Sequence, residues 1–171
     1  MIRRDTLLIV DDLEMNRAIL SNIFKKKYKI VEASDGDEAL EYIKENSHKT
    51  IAILLDLVMP RVSGIEVLRA IKYKKIADEV PIFIITAKNS EKIMYEAYEL
   101  GVKDILEKPF VPYFLKKRIE NVIEFYEMKE NHKKILENLN KDFNNILNLA
   151  LEGKTAEIKK FTEETLKKLT I

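Results

Sequence analysis

Five side chains in this sequence are of the types that handle phosphate and hard cations: Asp11, Asp12, Asp56, Thr86 and Lys108. Three carboxylates brought together repel one another and resist ionisation unless a cation joins them. A hard divalent ion with oxygen ligands relieves that repulsion. Mg²⁺ fits, because it is commonly bound by one or two carboxylates together with waters and phosphate oxygens. An aspartate oxygen is also a nucleophile toward phosphorus and forms an acyl phosphate. The incoming group then needs neutralising, which an ammonium such as Lys108 and a hydroxyl such as Thr86 can do.

The elements that must position these residues alternate in type. Leu7–Val10 is an apolar run that ends in Asp11-Asp12, and Leu13 to Lys27 has helical apolar spacing. Tyr28–Ala33 alternates as a strand. Asp35-Gly36 is a break, and Glu38 opens a second amphipathic helix. Thr50–Leu55 reads as a strand buried on both faces, followed by Asp56 and then by Leu57-Val58-Met59-Pro60. Ser63-Gly64 starts a helix through Ile71. Val80–Thr86 is a fourth strand, Glu91–Leu100 a helix stopped by Gly101, and Val102–Leu106 a short fifth strand closed by Lys108-Pro109-Phe110.

Strands alternating with helices predict an α/β fold, a parallel sheet covered by helices on both faces. Right-handed crossovers leave few topologies. The flavodoxin-like order 2-1-3-4-5 places its ligand crevice at the carboxyl ends of strands 1 and 3. In that order the five side chains come from four strand ends and converge on one edge. Taken singly, each has an ordinary reading. Asp11-Asp12 can cap a helix, Asp56 can cap a loop, Thr86 suits any strand, and Lys108-Pro109 can be a plain turn. Their coincidence at four strand ends favours the chemical reading.

From about Thr6 to Met128 the chain resembles the receiver domain of two-component response regulators (the CheY-like superfamily). The motifs are Leu8-Ile9-Val10-Asp11-Asp12, Leu55-Asp56-Leu57-Val58-Met59-Pro60 with Ser63-Gly64, Ile84-Ile85-Thr86-Ala87, and Lys108-Pro109-Phe110. The resemblance implies a signalling domain, not an enzyme, that takes a phosphoryl group on Asp56 from a sensor histidine kinase. It implies that Asp11, Asp12, Asp56 and the backbone carbonyl of Val58 hold Mg²⁺, that Thr86 and Lys108 contact the phosphoryl oxygens, and that the Lys108–Pro109 peptide is cis. The family's switch aromatic, three places before the lysine, is replaced by Ile105. A signal is then expected to pass through the fourth and fifth helices. Val58 and Lys88 flank the approach of a hydrolytic water and neither is a base at neutral pH, so no strong self-dephosphorylation is expected.

Two alternatives are set beside this. A haloacid-dehalogenase-like phosphohydrolase also uses an aspartate after a buried strand, but it wants an acid two residues on, where this chain has Val58. A degenerate, non-phosphorylated interaction module would not need all five residues.

The bulk numbers exclude other classes. With 30 basic and 29 acidic residues the net charge is +1, so neither a nucleic-acid groove nor a polybasic membrane anchor is indicated. There is no cysteine, which removes disulfides and thiolate chemistry. The apolar run Leu7–Val10 is too short for a leader or a membrane span, and a cytoplasmic location is expected.

The predicted division is a receiver over 1–127 and a helical extension over 128–171. A helix starting near Pro112 can run to about Leu151, with Gly153-Lys154 allowing a reversal and Ile158, Phe161, Leu166 and Leu169 marking a second helix. Phe125, Met128, His132, Ile135, Leu139, Ile146 and Leu149 trace a three-four stripe broken by Asp142. The stripe can fold back on the receiver, pair two copies as a helical dimer, or lead to an output domain; the dimer is the expected arrangement. His132 lacks the residues that follow a kinase histidine. No DNA-reading motif or basic helix is present.

Overall fold

The structure is a computed structural model that describes residues 4–87 and 90–169. Its elements are β1 (Thr6–Val10), α1 (Glu14–Phe24), β2 (Lys29–Ala33), α2 (Gly36–Asn46), β3 (Thr50–Leu55), α3 (Gly64–Tyr73), a 3₁₀ turn (Ile76–Asp78), β4 (Ile82–Thr86), α4 (Glu91–Glu99), β5 (Asp104–Glu107), α5 (Pro112–Leu151) and α6 (Thr155–Leu169). The five strands form one sheet in the order β2-β1-β3-β4-β5, and every pair is parallel. This is the α/β doubly wound, flavodoxin-like arrangement expected from the alternation of elements.

The period-2 geometry of strands divides the core into two layers. On one face Leu8, Val10, Ile53, Leu55, Ile82, Ile84 and Ile105 pack with Ala39 and Ile43 of α2, Val67, Leu68 and Ile71 of α3, and Ala97 of α4. On the other face Leu7, Ile9, Ala52, Leu54, Phe83, Ile85 and Leu106 pack with Leu20 and Phe24 of α1 and Leu115, Ile119 and Ile123 of α5. The central strands are apolar on both sides because both sides are covered.

Several boundaries differ from the sequence reading, for local reasons. Helix α2 starts at Gly36, not Glu38, because Asp35 is its N-cap and takes the Gly36 N–H at 2.7 Å. Strand β5 starts at Asp104, not Val102. Gly101, at φ 101°, and Val102 instead close α4 by donating to Tyr98 and Ala97 carbonyls at 2.9 and 3.2 Å. This is a Schellman end, and glycine is the residue that adopts that backbone freely. The same device ends α5, where Gly153 (φ 71°) and Lys154 donate to Ala150 and Leu149. Helix α1 stops at Phe24, short of Lys27, and the turn Ile76–Asp78 has no forerunner in the sequence reading.

The chain divides into two compact units, Met1–Tyr126 and Glu127–Ile171. The first holds the sheet and the opening turns of α5. The second holds the remainder of α5 and α6.

Candidate functional site

Register brings the acids together. Val10 is paired with Leu55, and the Asp56 N–H donates to the Val10 carbonyl at 2.8 Å, so Asp11 and Asp56 leave neighbouring strand ends side by side. Thr86 ends β4 opposite Glu107 of β5, and the Lys108 N–H donates to the Thr86 carbonyl at 3.0 Å. Asp11, Asp56 and Thr86 are buried, whereas Asp12 is exposed. Carboxylate oxygens of Asp11, Asp12 and Asp56 lie within 4.8 Å of one another.

Lys108 sits among them. Its Nζ donates to Asp11 Oδ2 at 2.6 Å and to Asp56 Oδ2 at 2.5 Å. Burial works against its charge, but the hydrogen bonds and charges of the two carboxylates outweigh that and hold its pKa above the usual lysine value. The ammonium thus stands where clustered negative charge needs a cation. A donor set of three oxygen-bearing acids with an open, exposed member suits Mg²⁺. The Lys108–Pro109 peptide is cis.

The ordinary readings of these residues fare unequally. Neither acid of the pair caps α1, whose N-cap is Leu13 with no side-chain cap bond. Asp56 does make a local turn contact, its Oδ1 accepting the Val58 N–H at 3.2 Å. Its other oxygen is committed to Lys108.

The loop after Asp56 is held from two directions. A Cβ on Gly64 would lie 2.2 Å from the Asp56 carbonyl oxygen, so only glycine permits this approach of α3 to the strand end. Ser63 and Glu66, on either side of Gly64 in the chain, form a reciprocal capping box. From the N-cap of α2 comes Asp35, buried, which accepts from the Arg61 N–H at 3.0 Å and the Val62 N–H at 2.8 Å as well as from Gly36. Burial alone would raise the Asp35 pKa; those three backbone donors override it and hold the carboxyl below the usual range. Arg61 closes the arrangement against Asp37 and Glu38 at 2.8 and 3.1 Å.

The sequence reading treated Asp35-Gly36 as a break and missed this clamp, because an Asp-Gly pair carries the same signal in any turn. It also missed Asn16 and Arg17, which contact the Asp11-Asp12 segment. Polar residues in a helix's first turn have no distinguishing signal. Ile105 is buried in the core layer with α4. Val58 is exposed, and Lys88 lies outside the described residues.

A five-stranded parallel sheet with an acid cluster and a half-buried lysine at its carboxyl edge defines a phosphoacceptor class of signalling domain. The family model for the response regulator receiver domain matches residues 7–120, two thirds of the chain, and the chain belongs to that family. Among curated relatives, the alkaline phosphatase synthesis transcriptional regulatory protein PhoP of Bacillus subtilis is 35% identical over 118 residues, covering 68% of this chain and 48% of PhoP. The transcriptional regulatory protein SrrA of Staphylococcus aureus is 38% identical over 107 residues, 62% of this chain and 42% of its own. The 3',5'-cyclic-nucleotide phosphodiesterase regA of Dictyostelium discoideum is 28% identical over 169 residues, 96% of this chain but 21% of regA. The chain therefore spans less than half the length of these relatives. Among solved structures, the signal receiver domain of a LuxO repressor protein from Vibrio parahaemolyticus matches at a TM-score of 0.66 and 29% identity, over 74% of this chain and 95% of that one. The chemotaxis protein CheY4 of Vibrio cholerae matches at 0.63 and 28%, over 69% and 98%.

Proposed function

We propose that this chain is a two-component receiver whose acceptor is Asp56. An Asp56 carboxylate oxygen attacks the phosphorus of a phosphohistidine on a sensor histidine kinase. The P–O bond forms as the P–N bond breaks, and the departing imidazole keeps the electron pair and leaves neutral, its other ring nitrogen already carrying a proton. Lys108 exchanges its contact with Asp56 for a phosphoryl oxygen, and the Thr86 hydroxyl donates to another. Asp11, Asp12, Asp56 and the Val58 carbonyl would hold Mg²⁺, which supplies charge neutralisation at the phosphoryl oxygens. The observation that carries this reading is the single ammonium bridging Asp11 and Asp56 at the edge of the sheet.

The chain is a signalling module without turnover of its own. A phosphohydrolase would need an acid where the exposed Val58 stands. The charge balance of the chain gives no support for a nucleic-acid surface. No helix among the described residues is long and apolar enough to cross a membrane. The helices beyond Tyr126 pair two copies of the chain.

Incubation with Mg²⁺ and acetyl phosphate followed by intact-mass measurement tests the acceptor reading. One added phosphoryl group is expected, absent in EDTA and absent in Asp56→Asn. Adduct retained in Asp56→Asn would overturn the assignment, and steady release of inorganic phosphate from phosphate esters would favour the hydrolase.

A further inference from the structure

We propose that Asn16, in the first turn of α1, is a positioning residue for phosphoacceptance, acting through Asp11 and not on the phosphoryl group. The inference rests on the receiver reading above and adds to it an element that holds the acid pair.

Asp11 is 1% exposed and both of its carboxylate oxygens are engaged. Oδ2 takes the Lys108 ammonium at 2.6 Å. Oδ1 takes the Leu13 N–H at 3.0 Å and the Asn16 side-chain N–H at 2.9 Å. The amide can face this way only as a donor, since its oxygen would meet a carboxylate oxygen. The next residue holds the same segment by its backbone. Arg17 Nη1 donates to the Asp11 carbonyl at 2.8 Å and to the Asp12 carbonyl at 3.2 Å, while its Nε reaches Glu32 on β2 at 3.3 Å. Helix α1 has no side-chain cap, so the Asn16 amide is not spent on the helix end. Two consecutive residues thus fix the acid segment from one side, one at the carboxylate and one at the main chain.

This arrangement acquires its importance when Lys108 leaves. A lysine that turns to a phosphoryl oxygen gives up Asp11 Oδ2. The two donors on Oδ1 are then what still orient the carboxylate toward Asp56 and Asp12. Removing the amide leaves one backbone donor and a carboxylate free to rotate. The loss should fall on cation affinity, and much less on the rate once the site is saturated.

The test uses the full chain as wild type, Asn16→Leu and Asn16→Ala. Calorimetric titration gives the Mg²⁺ dissociation constant, acetyl phosphate gives the phosphorylation rate at saturating Mg²⁺, and thermal unfolding in EDTA reports stability. Both variants are expected to bind Mg²⁺ about fivefold more weakly, the size of one net hydrogen bond. The saturated rate is expected to stay within about twofold of wild type, and Tm in EDTA within about 4 °C. Unchanged Mg²⁺ affinity in both variants would overturn the role of Asn16 alone. So would a loss confined to the leucine variant, which marks crowding, or a loss that merely tracks a fall in Tm. Absence of Mg²⁺ binding by the wild type would instead bring down the receiver reading and this inference with it.

Discussion

Lys108 bridges Asp11 and Asp56, and its removal exposes what that contact does. Lys108→Ala leaves Asp11 and Asp56 as neighbouring buried carboxylates with no cation between them. Breaking a buried pair from one side costs about 3–5 kcal/mol. Chemical unfolding in EDTA should show a loss of that order, and Mg²⁺ should restore part of it by supplying the missing positive charge. The raised pKa of Lys108 fixes the pH sense. Its contribution is fully present below the unfolded lysine value of about 10.4 and disappears as pH rises through the higher folded value. Asp35 behaves oppositely. Its depressed carboxyl contributes above about pH 3.9 and stops contributing as pH falls through the folded value. Asp35→Asn swaps an acceptor of three N–H groups for an amide that must turn donors toward some of them. A loss of about 1–3 kcal/mol at pH 7 is expected, shrinking toward pH 3 in urea titrations. A deficit that stayed constant with pH would assign the effect to packing.

At the scale of elements, the β3–α3 junction is the tightest point of the site. Gly64→Ala forces a methyl to within 2.2 Å of the Asp56 carbonyl. The helix or the strand end must then move, with an expected cost of about 1–3 kcal/mol and a matching loss of phosphorylation rate. The departure at Ile105 bears on α4. This residue pairs with Ile84 and is buried against the α4 layer, and it has no aromatic ring to swing. Arg69 of α3 reaches Glu96 of α4 at 3.0 Å through Nε, a link that can carry displacement between helices. Amide exchange in α4 should change when a beryllofluoride mimic occupies Asp56, and identical exchange with and without it would remove α4 from the signal path. Strands β1, β3 and β4 were legible because each is an apolar run ending at a chemically distinctive residue: Val10 before Asp11, Leu55 before Asp56, Thr86 itself; β2 was legible only from its alternation. Alternation of strands and helices pointed to a parallel sheet, while its order was one of the few topologies that right-handed crossovers leave, and the structure has that order. What was not legible is whatever depends on one polar side chain finding another segment's backbone. Asp35 meets Arg61 and Val62 across 26 and 27 residues, and no local pattern announces such a pairing.

Over the whole molecule, the receiver accounts for the site, and the second unit carries exposed apolar surface of its own. Met128, Ile135 and Leu139 of the anticipated stripe are exposed, while Ile146 and Leu149 are partly covered. Leu136, Phe143, Leu147 and Leu151 are exposed as well, so the apolar surface is broader than the stripe read from spacing. His132, expected in that stripe, is exposed too. If two copies pair through this surface, light scattering should give the mass of a dimer, and a Leu139→Ser, Phe143→Ser double variant should be monomeric while still accepting phosphate. A monomeric wild type would remove pairing and leave the receiver intact. The receiver itself stands or falls on where phosphorus becomes attached. Brief exposure to Mg²⁺ and acetyl phosphate, reduction of the acyl phosphate with borohydride, and peptide mass spectrometry locate the modified residue. Reduction is predicted to convert Asp56, and no other aspartate, to homoserine. Label at another residue, or none on protein that binds Mg²⁺, would contradict the account.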